Sequence, residues 1–232
     1  MYKCTYKIRY SDLKDFDTVK NSSVIDFLQD ISVRHSESVG YSIKKLYEYG
    51  IAWLLKGWKI DFIDKIDPSK DITVETGVRN PKRVTSDRLY TITQDGVLKV
   101  KCTSVWFSFD VVNLKPCKVP GEIVDLYLKT PVTDDFDTYK NPEDFADGET
   151  LDTITVSARD IDTNHHLNNQ KSAEMLMSAV PEDFSYKSAV IHYKKAAHLN
   201  DCLTVSRKIE NNSCLVRLSM NGETCVLGQF EK

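Results

Sequence analysis

Residues 151–180 read LDTITVSARDIDTNHHLNNQKSAEMLMSAV, and the order of residue types in this stretch decides the fold. Over 151–158 apolar and polar residues alternate, the two-residue period of a strand with one buried face. Residues 159–167 are mostly polar and read as a loop. From about 168 to 180 small and apolar residues recur at helical spacing, with Asn168 or Asn169 placed to cap the helix. The same order opens the chain. Residues 2–10 alternate, 11–20 are polar, and Val24, Phe27, Leu28 and Ile31 then fall at helical spacing as far as Gly40. Ser23 and Asp26 have the spacing of a capping box, which predicts the start of that helix.

Strands follow each of these openings. Residues 51–60, 71–78, 84–94 and 98–111 are rich in Val, Ile, Thr, Trp and Phe and are broken at Asp67-Pro68, Asn80-Pro81 and Asp95-Gly96. After the second helix come 189–193, 202–210, 214–221 and 224–230, the last two joined by the hairpin signal Asn221-Gly222. The expected class is α+β, with two copies of strand, loop, helix and antiparallel sheet. Repetition matters because one such unit leaves a sheet face or edge for the other to cover. Between 116 and 150 the composition shifts, with Pro116, Pro120, Pro131 and Pro142, and with seven acids from Asp134 to Glu149 against the single Lys140. This reads as a linker with a solvated, partly mobile face. The expected divisions are a first domain over 1–130, an acidic linker over 131–149 and a second domain over 150–232.

Composition narrows the function classes. The chain has 232 residues, with 31 Lys and Arg against 34 Asp and Glu, a net charge of −3 that excludes a strongly basic nucleic-acid binder. Hydrophobic residues make up 41%, enough for a sizeable core, and no low-charge run reaches membrane-spanning length. Six scattered cysteines form no CxxC pair and no metal-ligand spacing, as expected of reduced thiols in the cytoplasm. The opening residues are charged and strand-like, unlike a signal or transit segment.

The loop is where chemistry concentrates. Residues 159–169 hold two carboxylates, three side-chain amides and two imidazoles. They lie between a strand and a helix, so first-turn N–H groups face the loop and suit a developing oxyanion. A carboxylate and an imidazole beside those donors could deprotonate or orient a water, the need of ester or thioester hydrolysis. A bland reading stands beside it: the Asp and Asn residues make an Asx-type turn and cap the helix, with both histidines merely exposed. Two adjacent histidines with no partner Cys or further His nearby make a weak zinc site.

The string Asp160-Ile161-Asp162-Thr163-Asn164-His165-His166-Leu167-Asn168-Asn169 resembles the D-hydrophobic-D-x-N-x-H-hydrophobic-N-N signature of acyl-ACP thioesterases, the plant plastid enzymes and their bacterial relatives. The likeness extends to Leu28-Gln29-Asp30 with His35 and Gly40, to residues 50–55 (GIAWLL), to Val74-Glu75-Thr76, and to Thr103-Ser104-Val105-Trp106 followed by Asp110. It implies a tandem double hot-dog fold and release of free fatty acid from acyl carrier protein in fatty acid biosynthesis. No metal or organic cofactor is implied. By position, Asp162, Asn164 and His166 fall on the family's catalytic Asp, Asn and His, while Asp160, Asn168 and Asn169 fall on accompanying positions. Asp162 would then activate water, Asn164 would hold the carbonyl or the carboxylate in register, and His166 would transfer protons. Asn168 and Asn169, at the helix N-terminus, would serve the oxyanion. His165 receives no role.

The resemblance also implies an acyl-chain pocket in the first domain, which makes Val24, Phe27, Leu28, Ile31, Trp53 and Leu55 candidates to line it; for any one of them ordinary core is the preferred reading. An acidic carrier protein calls for basic docking residues, and Arg79, Lys82, Arg83 and Arg88 form one candidate group, with Lys187, Lys194 and Lys195 a second. A homodimer is compatible with this reading. The pattern departs from the family at two places. Relatives carry a Glu shortly after a Tyr-basic-basic segment, where Tyr193-Lys194-Lys195 is followed here by Ala196 and Ala197. Ser172 and Met175 replace an expected Tyr and Trp. Glu174 or Asp201 could supply the carboxylate only through a shifted alignment. Acyl-CoA hydrolysis, or acyl-ACP binding with little or no catalysis, are the alternatives this leaves.

Overall fold

The computed structural model describes residues 1–79, 84–129, 132 and 135–232. Two compact units divide the chain: Met1–Lys56 with Ile60–Tyr139, and Gly57–Lys59 with Lys140–Lys232.

The first unit contains, in chain order, β1 (Tyr2–Tyr6), α1 (Asn21–Ser38), α2 (Ile43–Glu48), β2 (Ile51–Phe62), β3 (Ile72–Arg79), β4 (Thr85–Gln94), β5 (Val97–Asp110) and α3 (Gly121–Leu128). Its strands lie in the order β1-β3-β4-β5-β2. Pairing is antiparallel, with Tyr2 opposite Thr76, Thr76 opposite Tyr90, and Tyr90 opposite Cys102. Helix α1 turns Val24, Ile25, Leu28 and Ile31 inward, all 2% exposed or less, and packs on β3. Val74, Leu89, Ile92 and Val100 complete that core from the sheet.

The second unit contains β6 (Glu149–Thr155), α4 (Asn169–Ser178), β7 (Ser188–Tyr193), β8 (Cys202–Glu210), β9 (Ser213–Met220) and β10 (Glu223–Glu231). Its order is β6-β8-β9-β10-β7, the same permutation as in the first unit. Helix α4 packs Ala173 and Leu176 on β9 and β10, above Val216, Leu218 and Phe230. Gly228 permits this approach: a Cβ there would stand 2.8 Å from the Phe230 ring and 3.2 Å from Leu176. Each unit thus has a main helix, α1 or α4, on a five-stranded antiparallel sheet, and the chain is a tandem double hot-dog. Two of the turns the sequence marked have the left-handed backbone that tight hairpins require, Asp95-Gly96 (φ 51° and 79°) and Asn221-Gly222 (φ 53° and 81°), while Asn80-Pro81 lies outside the described residues.

Local differences have physical causes. Helix α1 begins at Asn21 rather than Ser23, and its N-cap Lys20 makes no side-chain cap. Ser23 lies inside the helix with its hydroxyl 3.4 Å from the Asp12 carbonyl, so the spacing of a capping box there was coincidental. Strand β1 stops at Tyr6, short of Tyr10. Helices α2 and α3 were not expected. They bury Leu46, Ile123 and Tyr127 against Val78 and Val119, a satellite cluster that residues 116–128 were too short and too proline-flanked to announce. The described acids of this run are exposed, as the solvated face requires, and several also pair: Asp135 with Lys101 at 2.6 Å, Asp144 with Lys194 at 3.0 Å and Thr224 at 2.7 Å, and Asp147 with Lys208 at 3.1 Å. Tyr139 and Phe145 are buried beneath them. All six cysteines are free, with Cys102, Cys214 and Cys225 buried and Cys202 exposed.

Candidate active site

The polar loop is anchored at both ends. Asp160 sits at the end of a single 3-10 turn (Ala158–Asp160) and accepts hydrogen bonds from the main-chain N–H and hydroxyl of Ser157. Burial acts to raise its pKa, and those hydrogen bonds, with Arg159 nearby, outweigh it and hold the carboxylate below its ordinary range. Its carbonyl accepts from the N–H of Asn168 at 2.8 Å, and Ile161 bridges Leu167, which closes the loop. Asn168 then caps α4, its side-chain oxygen accepting from Gln170 N–H at 2.8 Å. The remaining first-turn N–H groups have no acceptor within the helix. The Tyr193 hydroxyl donates to the Asn169 carbonyl at 2.9 Å and fixes that turn.

Inside this frame Asp162 organises the chain. Its N–H donates to the His166 carbonyl at 2.8 Å, and its Oδ1 accepts from Asn164 N–H at 2.7 Å and His166 N–H at 3.2 Å. Among the described residues Oδ2 receives only the Asn164 amide, at 3.4 Å. One carboxylate oxygen is therefore structural, and the other remains able to take a proton from water. His165 crosses the tip at φ 62°, exposed, between the two residues whose N–H groups converge on Asp162 Oδ1. The His166 ring lies edge-on to His198, with centroids 5.0 Å apart. The two segments are pinned together by Leu167 N–H donating to the Ala197 carbonyl at 2.7 Å.

The first unit repeats this frame without its chemistry. Asp12 ends the turn Tyr10–Asp12 and is bonded by Arg9, its carbonyl accepts from Lys20 N–H at 2.8 Å, and Leu13 pairs with Val19. Residues 12–20 thus match 160–168 position by position, which sets Lys14, Phe16 and Thr18 where the second unit has Asp162, Asn164 and His166. The first loop makes its turn on Asp15, whose Oδ1 accepts from Asp17 N–H at 3.0 Å, so a turn-forming carboxylate is common to both copies, whereas an imidazole at the place of His166 is not. The turn made by Asp162 Oδ1 fits the bland reading, as do Asp160 and Asn168; the His166 imidazole on that turn is what the bland reading leaves unexplained.

The other sequence candidates lie as follows. Val24, Phe27, Leu28, Ile31 and Leu55 are buried, and Trp53 is partly buried against the α2–α3 cluster. Arg79 is 8% exposed, reaches Asp87 at 3.6 Å and donates to the Phe136 carbonyl, a position that secures the strand rather than one that meets a partner. Arg88 is 7% exposed and bonded to His35 Nδ1 at 2.9 Å. Lys82 and Arg83 lie outside the described residues. Lys194 pairs with Asp144 and Lys195 with Glu223. Ala196 is exposed, and Glu174 is paired with Lys171. His198 belongs to no motif, and only the closing of the 194–201 loop against the 160–168 loop brings it to the site. Among the described residues no group of three or more His, Cys, Asp or Glu is arranged to hold a metal ion.

Comparison with known proteins gives the family of the chain. Residues 1–127 match the acyl-ACP thioesterase N-terminal domain and residues 145–229 the corresponding C-terminal domain. A chloroplastic acyl-[acyl-carrier-protein] hydrolase of Cuphea viscosissima is 22% identical over 196 residues, 78% of this chain and 47% of that protein. The chain thus spans about half the length of this curated relative. An acyl-ACP thioesterase of Bacteroides thetaiotaomicron has a TM-score of 0.90 at 19% identity, covering 99% of this chain and 96% of its own. A 12:0-ACP thioesterase of Umbellularia californica has a TM-score of 0.86 at 16% identity, covering 99% and 96%. At these identities the solved structures carry the fold.

Proposed function

Since the chain belongs to the acyl-ACP thioesterase family, we propose that it hydrolyses the thioester of fatty acyl chains borne by acyl carrier protein, releasing free fatty acid and the carrier thiol. The observation that carries this reading is the excess of the second loop over the first: Asp162, Asn164 and His166 stand where the twin loop has Lys14, Phe16 and Thr18. Asp162 Oδ2 takes a proton as water attacks the thioester carbonyl. First-turn N–H groups of α4, with Asn168 and Asn169 at its start, stabilise the oxyanion. Asn164 keeps the carboxylate in register, and His166 delivers a proton to the departing thiolate. The acyl chain occupies the first domain near Val24, Phe27, Leu28, Ile31, Trp53 and Leu55, and the carrier meets a basic group that includes Lys82 and Arg83. The site works in the cytoplasm, where the six free thiols stay reduced. Among the described residues no helix is long and apolar enough to cross a membrane.

A second reading, of slow turnover or acyl-ACP binding alone, is favoured by one feature, the exposed Ala196 that brings no carboxylate to the site. Thiol release from matched acyl-ACP and acyl-CoA panels by wild type and Ala196→Glu separates the two. Measurable wild-type turnover on acyl-ACP, faster than on acyl-CoA, supports the hydrolase reading. Turnover that arises only in Ala196→Glu supports the second, and a preference for CoA changes the carrier.

A further inference from the structure

The 194–201 loop places a second imidazole against the candidate site, and its backbone is fixed from several sides. Leu167 N–H donates to Ala197 O, Asn200 N–H donates to Val156 O at 2.9 Å, and Val156 N–H returns to Asp201 O at 2.9 Å. Asn200 turns at φ 70°, and Asp201 N–H donates back to His198 O at 3.1 Å. The Asp201 carboxylate accepts from His198 N–H at 2.7 Å and lies 3.7 Å from His198 Nδ1. His198 is thus presented by a rigid turn, although its own side chain is 58% exposed and buries little of its own.

His166 is the complement. Its backbone is held on both sides by Asp162, yet among the described residues its ring forms no hydrogen bond, so rotation about its side-chain bonds is restrained by packing alone. One packing contact on it is the ring of His198, at 5.0 Å between centroids and 79° between planes, an edge-to-face geometry that aromatic rings favour. A proton-transfer group is useful only when its nitrogen stays within hydrogen-bond reach of the reacting atom, and small misplacements are costly.

We propose that His198, set by Asp201, is a positioning residue that fixes the His166 ring for proton transfer. The proposal rests on the hydrolase reading above for its catalytic consequence but not for its geometry. Ala196 on the same loop has no functional group, whereas His198 reaches the His166 ring and Asp201 holds the turn that carries it.

The test uses the full chain with 13C-labelled histidine and the variants His198→Ala, His198→Phe and Asp201→Asn, with His166→Gln to assign the His166 ring signal. In His198→Ala that signal should shift and broaden while the melting temperature holds. His198→Phe, which keeps a ring without its nitrogens, should restore a single sharp signal, and Asp201→Asn, which keeps an acceptor for the turn, should fall between. In parallel, kcat on acyl-ACP should drop about 10-fold or more in His198→Ala with KM within about 2-fold, and recover in His198→Phe. An unchanged His166 signal in His198→Ala overturns the proposal, as does a Phe variant as impaired as Ala, or an unchanged kcat. If wild type releases no thiol from any thioester, the hydrolase reading falls while the ring signal still decides the positioning role.

Discussion

Asp12 and Asp160 occupy the same place in two copies of one loop: each ends a 3-10 turn, and each offers its carbonyl to the residue that precedes a helix, over 2.8 Å in both cases. Their shared role is to hold the loop. Two, four and six residues later the copies differ, and there the second carries a carboxylate, an amide and an imidazole; Asp162 still holds its turn through Oδ1 and leaves Oδ2 for chemistry.

The division predicts opposite phenotypes for two neighbouring aspartates. Asp160→Ala strips the acceptor from Ser157 and should cost about 1–3 kcal/mol in chemical denaturation. Asp162→Asn keeps an oxygen for the Asn164 and His166 amides, so it should leave stability nearly intact and lower kcat by about 100-fold or more. Equal stability losses would remove the distinction.

His35 predicts how the first unit responds to acid. It is 1% exposed, stacked on Tyr2 and bonded to Arg88, and burial together with the Arg88 charge holds its pKa down at about 3. The unfolded chain binds the proton first, near pH 6.5, so stability should fall as pH drops from there toward 3. The slope should approach about 1.4 kcal/mol per pH unit, and His35→Gln should flatten it. Urea titrations between pH 7 and 4 measure this directly.

Gly228 should tolerate no branched side chain. With Phe230 and Leu176 standing within 3.2 Å of its absent Cβ, Gly228→Val should cost about 1–3 kcal/mol and displace α4, whose first turn faces the reactive loop. Thermal melts should show the loss, and kcat should fall more than stability alone explains.

Docking gives a contrast between basic residues. Charge reversal at Lys82 and Arg83 together should reduce kcat/KM on acyl-ACP about 10-fold more than on acyl-CoA at low salt, with the gap closing as salt rises. Arg79→Met, at a buried residue that pairs with Asp87, should lower stability and affect both substrates alike. Equal losses on the two carriers for the Lys82 and Arg83 change would place docking elsewhere.

Much of this was legible in residue order. The periods of two and 3.6 located α1, α4 and nearly every long strand, and Asp95-Gly96 and Asn221-Gly222 marked their hairpins, because these signals are local. The equivalence of the loops was only half visible, for Asp12 and Asp160 align while Lys14 and Asp162 do not. Helix α3 stayed hidden because its eight residues follow Pro120 in a segment whose acids suggested solvent; the Lys and Arg that pair with those acids lie far away in sequence. His198 was illegible for the same reason. It becomes part of the site only when Leu167 N–H meets the Ala197 carbonyl, a contact that no spacing along the chain encodes.

The most direct test is the initial rate of thiol release from acyl carrier protein charged with a fatty acyl chain, with wild type and Asp162→Asn at equal concentration and matched folding. Release by wild type at least about 100-fold faster than by Asp162→Asn is the expected result. Equal rates in the two proteins, or no release by wild type from any chain length tried, would contradict a hydrolytic site built on Asp162.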